Sequence, residues 1–262
     1  MVASTVMTVD DTLRGLEYAN LALCVILVGR LLQTGLFRPY HFFFIYQAYD
    51  ALQSLFAFHQ FKTERAGLLA YIGFQIPKLI TSALVVLEIY RLSLERHPAI
   101  DKFSRKIVLY VFGACVLVSM VGVYYTHPLP REELRVYFFA ILRSFDAANL
   151  LFLAVMGAFL LWFPIRLRRN LVAYVLGYVV YFASQAALLT YGILAHNVRQ
   201  KQINNIAFYA ITLVCLGFWI RSMQPEGEQK TTVTGHWWNP EENQRLIEKL
   251  DEINNTLERM AK

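Results

Sequence analysis

Charge is scarce in this chain. Only 17% of its 262 residues are Asp, Glu, Lys or Arg, against roughly 25% in a soluble domain. Cysteine is scarcer still. Cys24, Cys115 and Cys215 are far apart and offer neither a disulfide framework nor a CxxC metal or redox pair, so they read as buried, inert thiols. Catalytic signatures are missing too. No GxSxG elbow, phosphate-binding GxxxxGK[ST] loop, HxxxH or HExxH occurs, which excludes the usual serine hydrolases, P-loop enzymes and zinc hydrolases. The last hydrophobic block has no lysine for a retinal Schiff base. The start, MVASTVMTVDD, lacks the basic region and cleavage site of a removable signal peptide, so the first hydrophobic block is expected to serve as the first membrane helix. These absences argue against an enzyme, and no cofactor is expected.

What is abundant is hydrocarbon. Hydrophobic residues make up 56% of the chain and aromatics 15%, and the mean hydropathy is +0.40. The apolar residues gather in seven blocks, at about 16–34, 40–60, 66–91, 107–125, 134–163, 171–194 and 204–222. Each is near the ~20 residues that cross a bilayer core. A soluble all-helical protein would alternate polar and apolar faces; the fourth block, IVLYVFGACVLVSMVGVYY, carries no charge at all. The pattern predicts an all-α, polytopic membrane protein with seven transmembrane helices over 16–223, after a short N-terminal segment at 1–15.

Basic residues set the expected orientation. The connections after the first, third and fifth blocks hold Arg38, then RLSLERHPAIDKFSRK, then Arg166, Arg168 and Arg169. The opposite connections hold fewer bases, so the positive-inside rule puts the N-terminus outside and the C-terminus in the cytoplasm. A net charge of +6 would suggest nucleic acid in a soluble protein. Here the bases flank membrane segments, and anionic lipid headgroups explain them better. Trp162 with Arg166 to Arg169 reads as an interfacial belt at the cytosolic end of the fifth helix. The predicted location is the plasma membrane, as a multi-pass protein.

After the last block, residues 224–239 are polar and turn-rich and read as a linker, which Trp237 and Trp238 could anchor at the membrane surface. Residues 240–262 then predict a cytoplasmic amphipathic helix. Asn239 is a good N-cap and Pro240 suits the first helical position. Leu246, Leu250, Ile253, Leu257 and Met260 form one apolar stripe. The helix is net acidic, which suits it poorly to anionic lipid. It is expected to pack on the basic connections, on a second copy of the chain or on a cytosolic protein.

Ionisable groups inside a membrane segment are costly and are functional candidates by default. Asp50, Lys78, Arg143 and Asp146 lie far from the block ends. Asp50 and Lys78 sit at similar depth on blocks joined by a short connection, which predicts an ion pair. Arg143 and Asp146 are three residues apart on one helix face and are expected to pair with each other. Gln53, Gln75, Asn149 and Gln185 lie at comparable depth. Together these could form a midplane ligand or ion site, or a neutral network that fixes helix packing. Pro77 removes a backbone hydrogen bond beside Lys78 and frees a carbonyl near Gly73. Nearer the cytosolic side, Arg30 and Glu88 are expected to pair. His59, His127 and His196 fall at outer connections near Glu132 and Glu133, a weak candidate for a metal site.

The tripeptide Ala-Asn-Leu occurs at 19–21 and at 148–150, early in the first and fifth blocks. A parallel three-plus-one-plus-three duplication would produce that spacing. The run ANLLFLAVMGAFLLWFPIRLRRNLVAYVLGYVVYFASQ and the ending WWNPEENQRLIEKLDEINNTLERM resemble uncharacterised bacterial seven-helix integral membrane proteins with an acidic C-terminal tail helix. The resemblance implies the fold and no particular activity. The expected class is a non-enzymatic, receptor-like sensor or scaffold, with a small-solute or ion transporter as the alternative.

Overall fold

In lipid a backbone has no water to bond, so an apolar run must satisfy its N–H and C=O groups within itself, and a helix does so. The structure, a computed structural model, describes residues 2–57, 64–95, 109–118, 121, 134–162, 165–194 and 197–234, with isolated tail positions at 245, 248, 249, 252 and 256. The helices are α1 (Val2–Gln33), α2 (His41–Ala57) and α3 (Glu64–Ser93), α4 (Leu109–Val118), then α5 (Leu134–Trp162), α6 (Arg169–Leu194) and α7 (Val198–Ser222).

Five of these are long and apolar enough to cross a membrane: Asp11–Gln33, Ala70–Ser93, Ala140–Ala158, Arg169–Tyr191 and Arg199–Ser222. The other two of the seven expected spans fall short for different reasons. Helix α2 has 17 residues and is interrupted by Gln47, Asp50 and Gln53. Helix α4 is described only over Leu109–Val118. Large apolar side chains such as Val25, Ile26, Ile80, Leu176, Val180 and Val214 are exposed, as lipid-facing surfaces require.

Six helices close a ring. Each of α1, α2, α3, α5, α6 and α7 touches the next in that order, α7 returns to α1, and α3 also reaches α6 across the interior. Helix α4 lies outside the ring against α5, with Phe112 edge-on to Phe152 at 5.5 Å between centroids. Helix α1 already begins at Val2, so the segment 1–15 is mostly a helical extension and not a separate element. Two residues after α1 stands Gly35, whose φ of 71° places it in the left-handed region where a side chain would be strained. The Phe37 N–H then bonds back to the Leu31 carbonyl at 3.3 Å, a glycine-terminated helix end.

Helices α6 and α7 approach closely at Gly177. A Cβ there would meet the Trp219 ring nitrogen at 2.1 Å. Small residues let membrane helices approach in this way, and the space admits Trp219 to the interior. Around it stand Phe43 and Tyr46 of α2 and Tyr174, Tyr178, Tyr181 and Phe182 of α6, all buried. Their rings meet edge-on or tilted, with Phe43–Tyr174 at 4.9 Å and Tyr178–Trp219 at 4.8 Å, as aromatic quadrupoles prefer.

The stretch read as a linker is partly folded. After α7 comes a 3-10 turn at Pro225–Glu228 and a strand, β2 (Thr231–Thr234), antiparallel to β1 (Ile165–Arg168) between α5 and α6. These two short strands are the departure from an otherwise all-helical chain. The Arg169 N–H also bonds to the Lys230 carbonyl at 2.9 Å. The tail stripe Leu246, Leu250, Ile253 and Leu257, and the histidines His59, His127 and His196, lie outside the described residues.

A one-ended cavity and a sealed far end as the candidate functional site

The ring encloses a cavity of about 340 Å³, near the lower end of the ~300–1,000 Å³ usual for small-molecule sites. It occupies the half of the bundle that carries the α2–α3 connection. Helix α1 contributes Glu17 and Asn20, and α2 contributes Asp50, Gln53, Ser54 and Phe56. From α3 come Tyr71, Phe74, Gln75 and Lys78, and from α6 and α7 Tyr181, Phe208, Tyr209 and Thr212. The lining is mostly apolar, with a few convergent polar groups.

The expected ion pair is present in its wall: the Lys78 ammonium donates to the Asp50 carboxylate. The two side chains are 18% and 13% exposed, so the pair is largely out of solvent. The Lys78 ammonium also lies 5.7 Å from the centre of the Tyr46 ring, and Cys24 donates to the other Asp50 oxygen at 3.7 Å. Helix α3 runs unbroken through Pro77. Lys78 goes to Asp50, while the Tyr49 hydroxyl bonds the Phe74 carbonyl at 2.8 Å, one residue on from the carbonyl that Pro77 leaves free.

Two other expected pairs are absent. Among the described residues Asp146 forms no ion pair with Arg143. It lies on α5 and does not line the cavity. Arg143 does not line it either. Arg30 does not reach Glu88, and its Nε has no partner among the described residues. Glu88 instead caps another helix. Its two oxygens accept the Phe42 and Phe43 N–H groups at 3.0 and 3.1 Å, the first free donors of α2. His41 and Tyr174 complete the shell at 3.0 and 2.9 Å. A helix N-terminus carries unsatisfied N–H groups and partial positive charge, and it supplies two fixed donors where Arg30 would have to reach between helices.

Of the polar residues at comparable depth, Gln53 and Gln75 line the cavity. Asn149 and Gln185 are buried elsewhere in the bundle, with Asn149 donating to Ser82 at 3.2 Å. Glu17 was not among the expected residues. It lies inside the first hydrophobic block, which is the signal that could have found it, and it accepts from Tyr209 at 3.3 Å.

Beneath the cavity the interior is filled by aromatic side chains. The Tyr46 and Tyr181 hydroxyls bond each other at 2.9 Å. Below them the stacked rings run through Tyr178, Phe43 and Trp219 to Tyr174 and Tyr40. At the far end Glu228, from the turn after α7, is the hub. It accepts from Tyr40 at 2.7 Å, from Asn170 at 2.7 Å and from Arg168 at 2.9 Å, while Arg168 also bonds Glu95 at 2.6 Å. Burial disfavours the Arg168 charge, but the hydrogen bond to Glu228 and the two carboxylates outweigh it and raise its pKa. Arg168 is thus held in a protein network and is not free for the headgroup belt. Asn170 fastens the same turn by bonding the Gln224 backbone in both directions, at 2.7 and 3.1 Å.

Among the described residues no cluster of His, Cys, Asp and Glu could hold a metal ion. Comparison with family models, curated proteins and solved structures finds no match.

Proposed function

We propose that the chain is a multi-pass, receptor-like protein of the plasma membrane that admits a small ligand to its one-ended cavity and passes occupancy to the cytosolic side. In this reading α2 and α4 complete seven crossings, with the cavity opening outward and the Glu228 end and tail helix inside. The observation that carries it is the cavity itself, with a buried ion pair in its wall and a packed aromatic column beneath. A ligand that alters the Asp50–Lys78 pair pushes on Tyr181 and Tyr46. The tyrosines at 174, 178 and 181 share one face of α6 and lead to Glu88 and to the turn that Glu228 holds. Dense packing of this kind moves between discrete arrangements and does not deform smoothly. The tail, which follows that turn, is the proposed output toward a cytosolic protein or a second copy.

Sidedness tests the reading against the transporter alternative. In a chain whose native cysteines are replaced by alanine, Gln75→Cys reports the cavity and Arg38→Cys the far end. A membrane-impermeant thiol reagent applied to sealed vesicles should label Gln75→Cys from one side only and Arg38→Cys from the other. Labelling of Gln75→Cys from both sides is the alternating access of a transporter and removes the receptor reading. Labelling from neither side removes the ligand cavity.

A further inference from the structure

We infer that the cavity takes a cationic organic ligand, a protonated primary or secondary amine with an apolar body, and that Glu17 is its anchor. The inference rests on the cavity being a ligand site and adds the ligand's charge and the residue that reads it.

The charges lining the cavity are unequal. Two carboxylates, Glu17 and Asp50, face one ammonium, Lys78. Lys78 is already matched by Asp50, so among the described residues lining the cavity no cation is spare for an anionic ligand. Glu17 is different. Among the described residues it accepts one hydrogen bond, from Tyr209 at 3.3 Å, and has no cationic partner. Glu17 is half-buried, and a carboxylate that has lost part of its hydration is stabilised by a cation brought to it.

A second observation points the same way. The Asn20 Oδ1 and Gln53 Oε1 atoms are buried without a hydrogen-bond partner, and both residues line the cavity. Asn20 is 5% exposed and lies one helical turn beyond Glu17. Buried acceptors left unpaired are costly, and a ligand rich in N–H donors would satisfy them. The rest of the wall suits a cation as well. Tyr71, Phe74, Phe208 and Phe56 bring aromatic rings to the cavity, and aromatic faces attract ammonium groups while packing against their hydrocarbon. An anion of the same shape would meet two carboxylates and the negative faces of those rings.

The test uses the full chain in lipid nanodiscs at neutral pH and three probes of similar shape: benzylammonium, benzyl alcohol and phenylacetate. Calorimetric titration should show benzylammonium binding most tightly, weakened by about tenfold or more in Glu17→Gln, the usual scale for losing a charged partner. Arg38→Gln, at the far end, should leave its affinity unchanged. Phenylacetate binding as tightly as the cation, or an affinity indifferent to Glu17→Gln, overturns the cationic assignment while leaving the ligand cavity standing. If none of the three binds although Gln75→Cys is labelled from one side, the cationic assignment fails alone. If labelling fails too, the cavity reading falls with it.

Discussion

At the scale of single residues, depth in the membrane is what made Asp50 and Lys78 legible. Two opposite charges at one depth, on helices joined by a short connection, lower each other's cost, and no other partner is as near. Each side chain is under a fifth exposed, so the pair behaves as a buried one. Removing one member of a buried pair strands the other and costs about 3–5 kcal/mol, whereas replacing both by apolar groups is often close to neutral. Lys78→Met alone is therefore expected to lower the unfolding free energy in bicelles by about 3 kcal/mol. Adding Asp50→Leu should recover more than half of that. Recovery stays incomplete because Cys24, which donates to Asp50, and the Tyr46 ring beside the Lys78 ammonium also lose their partners. A double variant no more stable than Lys78→Met would show that the two side chains do not support each other. The same reasoning misplaced Arg143 and Arg30. Sequence spacing says which residues share a face, but it does not say what faces them. Glu88 found the open N-terminus of α2.

At the scale of elements, the helices were readable because a membrane run has to be helical. Their contacts were not, since a uniformly apolar helix carries no stripe that points inward. Nothing local marks Gly177 as the place where α6 meets α7, because Gly29, Gly73 and Gly157 sit in equally apolar runs and a Cβ on any of them would meet open space. The 2.1 Å approach to the Trp219 ring makes Gly177 the exception. Gly177→Ala must displace the indole or part the helices. Overpacking of that kind costs about 1–3 kcal/mol, against the gain of roughly 1 kcal/mol that alanine brings to a helix interior. Thermal unfolding in detergent should show Gly177→Ala less stable than the parent, and Gly157→Ala unchanged or more stable. Combining Gly177→Ala with Trp219→Leu should give less than the summed losses, because the smaller side chain makes room. A Gly177→Ala protein as stable as Gly157→Ala would mean that the close approach does not hold α6 to α7.

At the scale of the whole molecule, the two ends differ in kind. The cavity end carries Glu17 without a cationic partner among the described residues. The far end is tied by contacts between segments distant in sequence. Strand β1 pairs with a strand more than sixty residues later, and Glu228 gathers Tyr40, Arg168 and Asn170 from two other parts of the chain. No local pattern announces such a closure, and IRLR and TTVT are too short for an alternation to stand out, so 224–239 looked like a linker. The consequence concerns how stability is divided. The spanning helices hold one another through the aromatic column. The turn after α7 is held chiefly by hydrogen bonds and by the ion pair of Arg168, itself 34% exposed, and such partly solvated pairs contribute modestly. The turn should therefore open while the bundle stays closed, which is local unfolding of a weakly held unit. Glu228→Ala removes the hub and leaves the ring-to-ring contacts of the column in place, at the loss of one hydrogen bond to Tyr40. Trypsin should then cut after Lys230 about tenfold faster, a factor that corresponds to ~1.4 kcal/mol of lost local stability, with the bundle's melting temperature within a few degrees of the parent. Asn170→Ala, which loosens the same turn through Gln224, should act in the same direction. If cleavage and melting shift together in both variants, the turn is part of the bundle's cooperative core and cannot relay a signal by opening on its own.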